Sequence, residues 1–425
     1  MDDRFRLTHA HLRHFRGFED TKVDLTQTTV VFGENGCGKT ALLRGLAIGI
    51  AAAFDRAPVN LLTDDIRLEL RDLVFSPTGD TRVELGGSVG GVQHVWSRTR
   101  ELMSTRTSNA DCKDLRATMR RVWRGVGDWP VFGFYGTQRL WGRVNVRYAG
   151  HRASPQRTQA YQHCLDPRSS ESKLLVDLVW RAAFAELRGQ QNLRLKAVEL
   201  ALIRATTKAF GEDEGAIRAL RLDPNQGEPV IEFADGRTWL WSWLSDGFHV
   251  FLGLVADIAV RSTLANPHLG EEAPNDSHGT VLIDEVDLHL HPRLQRNVIG
   301  ALRAAFPKIQ FIVTTHSPQV LASAKNEEVV NLDRSGQVRR ELVGGRDSNS
   351  VLAVMGDRDR PSQDDAYLNE LYADVDRLDS EPDPENALKL ERQLDELERR
   401  WGTRDTEVIK LRTALAWAKA QPSSD

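Results

Sequence analysis

The chain of 425 residues is 40% hydrophobic and 27% charged, with a formal net charge of −4. That is the composition of an ordinary folded protein, neither a disordered chain nor a strongly basic one. No apolar run approaches 18 residues, and Met1-Asp2-Asp3-Arg4 lacks the apolar segment of a secretory signal, so a cytoplasmic protein without a membrane partner is expected. Cys37, Cys112 and Cys164 show no Cys-x-x-Cys spacing, which argues against a disulfide framework or a structural zinc site.

In chain order, residues 5–15 and 18–25 read as two strands joined at Arg16-Gly17. They lead to a short apolar strand at 28–32 and then to Gly33-Glu34-Asn35-Gly36-Cys37-Gly38-Lys39-Thr40, which fits the phosphate-loop template Gly-x4-Gly-Lys-[Ser/Thr]. An Ala/Leu/Ile-rich helix at 41–54 follows. A strand, a glycine-rich turn and a helix N-terminus aim backbone N–H groups and the positive end of the helix dipole at one point, which suits a triphosphate. Gly33, Asn35, Gly36, Cys37, Gly38, Lys39 and Thr40 are therefore the expected ATP-binding residues. Lys39 would reach the β/γ-phosphates and Thr40 would hold Mg²⁺.

Strand patterns return at 66–75, 81–85 and 92–98, an antiparallel element after the first helix. A helix is expected at 112–124 and a strand at 131–135; residues 143–228 read as an insertion, polar loop and then helical, notably at 172–187 and 192–210. Between Arg98 and Arg157 thirteen basic residues face four acidic ones, with Trp123, Trp129, Trp141 and Tyr148 interleaved. This composition suits phosphate contact and base stacking, making Arg120, Arg121 and Arg143 candidates for nucleic-acid contact; a solvated surface and a protein interface are the alternatives.

The core pattern resumes with a strand at 230–233, an apolar helix at 246–264 and a buried strand at 280–283. A helix at 292–305, a strand at 310–314 and a hairpin at 329–332 and 338–342 complete it. Beyond about residue 349 the character changes to amphipathic helices at 364–377, 384–400 and 403–420. Acidic residues outnumber basic ones thirteen to five over 361–400, so this tail suits protein docking or a solvated cap better than nucleic acid.

Three further motifs narrow the class. Thr280-Val281-Leu282-Ile283-Asp284-Glu285 is a buried strand ending in two carboxylates, a Walker B pattern in which Asp284 would position Mg²⁺ and Glu285 would deprotonate the attacking water. In Thr314-Thr315-His316-Ser317-Pro318, His316 would stand at the carboxyl end of the next strand, beside the γ-phosphate. Trp243-Leu244-Ser245-Asp246-Gly247 opens the apolar helix ahead of Walker B; Ser245 is also a good N-cap. Lys39 and Asp284 lie 245 positions apart with this Leu-Ser-x-Gly helix start between them, an order expected of ABC-type ATPases, whose sites close between two subunits.

Phe15-Arg16-Gly17-Phe18, the phosphate loop, Leu244-Ser245-Asp246-Gly247, the run from Ile283 through His289-Leu290-His291-Pro292, and Thr315-His316-Ser317-Pro318 together resemble the SMC/RecF-like branch of ABC ATPases. Within it the chain is most similar to the ATPase subunits (PtuA) of Septu and retron-linked anti-phage systems. The resemblance implies an α/β fold: an ABC-type head at 1–345 with a mixed sheet, an antiparallel β subdomain and a helical insertion at 143–228, then an acidic helical module at 346–425. It implies that Arg16 contacts phosphates, that Gln138 is the Q-loop residue linked to Mg²⁺, and that Ser245, Asp246 and Gly247 act in trans in a homodimer or higher oligomer. It further implies an HNH-type nuclease partner, through which nucleic acid would be reached. His289 and His291 would belong to the dimer-facing loop rather than to a metal site. A RecF-like repair ATPase that binds DNA itself, and a nucleotide sensor that does not hydrolyse, remain as alternatives.

Overall fold

The computed structural model describes residues 4–54, 66–69, 72–73, 79–101, 104, 106–137, 156–167, 178, 191–212, 215–223, 228–340, 351, 367, 370–375, 377–378, 384–401 and 406–420. The chain divides into two compact units, Met1–Arg346 and Asp347–Asp425.

At the centre of the first unit is a six-stranded sheet. It contains β3 (Thr28–Phe32), β6 (Val131–Tyr135), β10 (Gly279–Ile283), β11 (Ile309–Thr314), β12 (Val329–Leu332) and β13 (Val338–Arg340), in the order β13-β12-β3-β11-β10-β6. All neighbours are parallel except β13, which closes one edge as a hairpin with β12. β3, β6, β10 and β11 are buried at every position, as expected of strands covered on both faces, and this is why they appear in the sequence as unbroken apolar runs.

A second sheet is antiparallel, with β1 (Arg6–Phe15), β2 (Phe18–Asp24), β4 (Thr81–Val89) and β5 (Val92–Arg100) in the order β2-β1-β4-β5. The N-terminal hairpin therefore pairs with the later one rather than extending the phosphate-loop strand's sheet. Gln310, 1% exposed, fastens the two sheets together. Its Oε1 accepts from Leu7 N and Thr280 Oγ1, and its Nε2 donates to Leu7 O and Thr26 O. Of the strand expected at 66–75, the described residues contribute one bridge, Leu73 to Phe15.

Helix α1 (Lys39–Ile50) continues as a 3₁₀ turn to Phe54, and α2 (Lys113–Arg124) follows β5. Part of the region read as a helical insertion is β structure. After α3 (Leu193–Phe210) the chain forms a three-stranded antiparallel sheet of β7 (Ile217–Asp223), β8 (Glu228–Phe233) and β9 (Thr238–Leu240). The helix expected at 172–187 lies outside the described residues, apart from Leu178.

Helix α4 (Asp246–Ala265) is long and apolar enough in composition to cross a membrane, but 89% of that stretch is buried inside the protein, where it serves as a core helix. α5 (Pro292–Ala305) and the short α6 (Pro318–Ser323) complete the first unit.

In the second unit α7 (Pro384–Trp401) and α8 (Thr406–Ala420) bury Leu390, Leu394 and Leu397 against Val408, Leu411 and Leu415, the i, i+3/i+4 spacing of one helical face.

Candidate nucleotide site

Strand register brings the chemistry to one edge of the central sheet. Ile283 pairs with both Tyr135 and Val313, and Thr314 pairs with Val31. The residues that follow these strands, Gly33, Gly136, Asp284 and Thr315, therefore leave the sheet side by side at its carboxyl edge, where parallel α/β sheets bind ligands.

The loop after β3 is shaped by its glycines. A Cβ on Gly33 would lie 2.1 Å from Leu332 O on the neighbouring strand. Gly38, the N-cap of α1, has φ 102°, and a Cβ there would lie 2.7 Å from the Phe18 ring. Only glycine meets both demands, so the turn can run close to β12 and β2 and still open a helix. Lys39 Nζ donates to Gly33 O and Glu34 O, each at 2.9 Å, which holds the ammonium across the mouth of the loop. Cys37 is buried, with its Sγ 3.8 Å from the same ammonium.

Asp284 is 3% exposed and bridges two strands. Its Oδ2 accepts from Thr40 Oγ1 at 2.7 Å, its Oδ1 accepts from Thr314 Oγ1 at 2.6 Å, and its N–H donates to Tyr135 O at 2.8 Å. The Thr314 hydroxyl also accepts from Glu285 N at 2.8 Å. Glu285 has φ 48°, a left-handed conformation that a residue with a side chain adopts rarely and mostly where its surroundings impose it. Thr314, which the sequence reading passed over in favour of His316, is thus the hub orienting both carboxylate residues. The hydroxyl of Thr40 and the carboxylate of Asp284 form an all-oxygen donor set at one spot, which fits Mg²⁺.

His316 is half-buried, and its imidazole is pushed below the usual histidine range by burial first and by the Lys39 charge second; Asp287, Glu285 and Asp284 pull the other way. It is accordingly neutral at pH 7. Asp287 accepts from Thr315 Oγ1, and Gln295 links Leu290 O to Ser317 Oγ, so the loops after β10 and β11 are tied together.

Ser245 occupies the N-cap position of α4, yet its hydroxyl makes no capping hydrogen bond, and both it and Asp246 are exposed. Gly247 packs so closely on the loop after β10 that a Cβ would lie 2.3 Å from His289 O. Trp241 Nε1 donates to His249 Nε2 at 2.6 Å and braces the first turn of the helix; burial lowers the His249 pKa. His291 is the N-cap of α5, accepting from Arg293 N. Among the described residues no cluster of three His, Cys, Asp or Glu side chains is arranged to hold a metal.

Arg16 is paired with an acidic residue. Its guanidinium binds fully buried Asp72 through Nε at 2.8 Å, and its backbone N–H donates to Asp72 O. Gln138 and Arg143 lie outside the described residues. Arg120 and Arg121 are exposed on α2 with Lys113 and Arg124. Of the four aromatic residues in that sequence pattern, Trp141 and Tyr148 lie outside the described residues, and the structure corrects the other two: Trp123 and Trp129 are 4% and 6% exposed and pack against each other at 5.1 Å. Their rings serve the core and are not available for base stacking.

A phosphate loop on β3, a carboxylate pair after β10, a histidine after β11 and a Ser-Asp-Gly helix start lie on one mixed sheet flanked by an antiparallel subdomain. This is the arrangement of a P-loop nucleotide-binding α/β fold. The chain matches two family models, one described as "AAA domain" over residues 10–121 and one described as "AAA domain, putative AbiEii toxin, Type IV TA system" over residues 150–322. It is similar to the Retron Vc95 probable ATPase of Vibrio cholerae serotype O1 biovar El Tor, 39% identical over 28% of this chain and 24% of that protein. It is also similar to the Septu protein PtuA of Bacillus thuringiensis, 28% identical over 61% of this chain and 69% of that one. The SMC head domain from Thermotoga maritima superposes with a TM-score of 0.44 at 16% identity, covering 79% of this chain and 99% of that one. The chain spans about a quarter of the length of the retron relative.

Proposed function

We propose that this chain is the ATP-binding and hydrolysing subunit of a bacterial anti-phage defence complex, pairing head to head with a second copy and gating a partner nuclease of HNH type. The observation that carries the enzymatic part is the hydrogen-bond chain Thr40–Asp284–Thr314–Glu285, which joins the phosphate loop to an acid pair at the carboxyl edge of the sheet. Similarity to proteins named for Septu and retron systems supports the defence role.

In this reading Lys39 exchanges the Gly33 and Glu34 carbonyls for β/γ-phosphate oxygens. Thr40 and Asp284 hold Mg²⁺, which supplies charge neutralisation at the phosphates. Glu285, whose backbone is fixed by Thr314, takes the proton of the attacking water. Neutral His316 faces the γ-phosphate and reports its presence. Ser245, Asp246 and Gly247 of one copy close over the nucleotide of the other, with exposed N–H groups at a helix start directed at the γ-phosphate.

The test is affinity purification of the tagged chain from its native operon with and without ATP, followed by native mass determination. A co-purifying HNH protein and an ATP-dependent even number of ATPase copies are expected. Recovery of the ATPase alone, bound tightly to DNA, would replace this reading with direct DNA repair, to which the exposed Lys113, Arg120 and Arg124 of α2 would be suited.

A further inference from the structure

Tyr135, Asp257 and Arg261 form a buried polar triad between the central sheet and helix α4. Tyr135 ends β6. Its carbonyl accepts from Asp284 N at 2.8 Å, while its hydroxyl donates to Asp257 Oδ2 at 2.6 Å. Asp257 lies in the middle of α4, and the same Oδ2 accepts from Arg261 Nε at 2.8 Å, one turn further along. Arg261 in turn donates to Ala160 O at 2.7 Å. Exposure is 7% for Tyr135 and 2% for each of the other two.

Stability alone is a poor account of this arrangement. Asp257 Oδ1 is buried with no hydrogen-bond partner among the described residues, and a buried ion pair with an orphaned oxygen contributes no more stability than apolar side chains of the same volume. Apolar contact, however, leaves a helix free to slide and rotate by small amounts. A directed O–H···O bond between two fully buried groups fixes both motions. Burial, reinforced by the Asp257 charge, raises the tyrosine pKa well above its ordinary range, so the hydroxyl remains a donor at every working pH.

What the triad holds in place is the signature turn. α4 begins at Asp246, so Asp257 stands about 16 Å along a rigid rod from Ser245 and Gly247. Near its start α4 touches the loop after β10, at Gly247 on His289 O; at its middle it touches the residue whose carbonyl holds Asp284 N. Both contacts lead to the backbone around Asp284. We infer that Asp257, fixed by Tyr135 and Arg261, is a positioning residue that sets where Ser245-Asp246-Gly247 stands relative to Asp284, and thereby whether two copies of the chain can close over ATP. The inference rests on the head-to-head reading above.

The experiment uses the full-length chain and two variants, Tyr135→Phe and Asp257→Asn. ATP affinity is measured at dilute protein, ATP-dependent self-association by sedimentation, and thermal midpoint alongside. Tyr135→Phe is expected to keep ATP affinity within about twofold while weakening ATP-dependent association by about tenfold, a coupling of ordinary allosteric size. Asp257→Asn should weaken association further; if it fails to fold, Tyr135→Phe, which deletes one hydroxyl, still decides the matter. A lowered midpoint with unchanged association of the folded protein would overturn the positioning role and leave the head-to-head reading standing. A parent chain that binds ATP and does not associate would overturn both.

Discussion

Thr40 Oγ1 donates to Asp284 Oδ2 at 2.7 Å, closing a loop of 244 residues with one hydrogen bond. Everything in the candidate site is arranged around that contact. It places the first hydroxyl of α1 against the carboxylate that follows β10, and the Thr314 hydroxyl locks the other oxygen of the same carboxylate. The pair is preorganised before any cation arrives, which lowers the cost of assembling the site.

Replacing Thr40 by valine keeps the volume and removes the hydroxyl. Magnesium-dependent turnover is expected to fall by about 10²-fold, the size of effect seen when groups that fix a metal's surroundings are lost. Magnesium titration of ATP turnover measures it, and a variant with the parent's magnesium dependence would remove Thr40 from the site.

Glu285→Gln keeps the side-chain length and the Thr314 contact to its backbone. ATP binding should persist while turnover drops by about 10²–10⁴-fold, the usual contribution of a positioned general base. The check is phosphate release under single-turnover conditions alongside equilibrium nucleotide binding. Unchanged release would assign the base elsewhere.

Gly247→Ala would put a Cβ 2.3 Å from the His289 carbonyl oxygen, a backbone atom that cannot swing aside. The start of α4 or the loop after β10 must shift, at a cost of about 1–3 kcal/mol. Retained ATP binding with loss of ATP-dependent association is the expected outcome, read by native mass determination. Full association in the variant would show that the signature turn does not face a second copy.

Asn266 is fully buried and its side chain holds four groups: it accepts from Trp129 N at 2.7 Å and from the Arg157 guanidinium at 3.4 Å, and donates to Trp129 O and Ser277 Oγ. Asn266→Leu would leave the Trp129 peptide unpaired at the start of β6. A loss of about 2–4 kcal/mol in unfolding free energy is expected from the orphaned buried groups. Denaturant unfolding measures it directly.

Stability should fall as the pH drops through about 6.5, the ordinary histidine value. His94, His249 and His316 are each lowered, burial being the first cause in all three. A histidine depressed in the folded state is neutral where the unfolded chain is already protonated. The unfolded state then binds more protons, and stability rises with pH across that window. Asp20 and Asp333, whose lowered values lie in the carboxylate range, change the balance only at more acid pH. Denaturant midpoints at pH 7.5 and 5.5 test the sign, and His249→Gln should reduce the difference.

Motifs whose chemistry is local were readable from the chain. Gly33 and Gly38 announce a turn that side chains would obstruct, and the unbroken apolar runs of β3, β6, β10 and β11 announce strands covered on both faces. Composition alone misplaced Trp123 because a helix repeats every 3.6 residues: it sits on the inner face of α2 while Arg120 and Arg124 sit outside. Strand β7 was hidden in a segment read as helical, since its part-charged pattern is only half apolar and becomes a sheet through pairing with β8, which was legible at 230–233.

By itself the sequence determined the phosphate loop and the acid pair after a buried strand, because each depends on neighbours within a few residues, and the order of motifs, which is read directly along the chain. Only the tertiary structure decided that Thr314 orients both Asp284 and Glu285, that Arg16 is held by Asp72, and that Tyr135 reaches Asp257 across the sheet face. Those relationships join residues from 29 to 122 positions apart. A hydrogen bond over such separations is set by strand register and helix packing, quantities that no local pattern of residue types encodes.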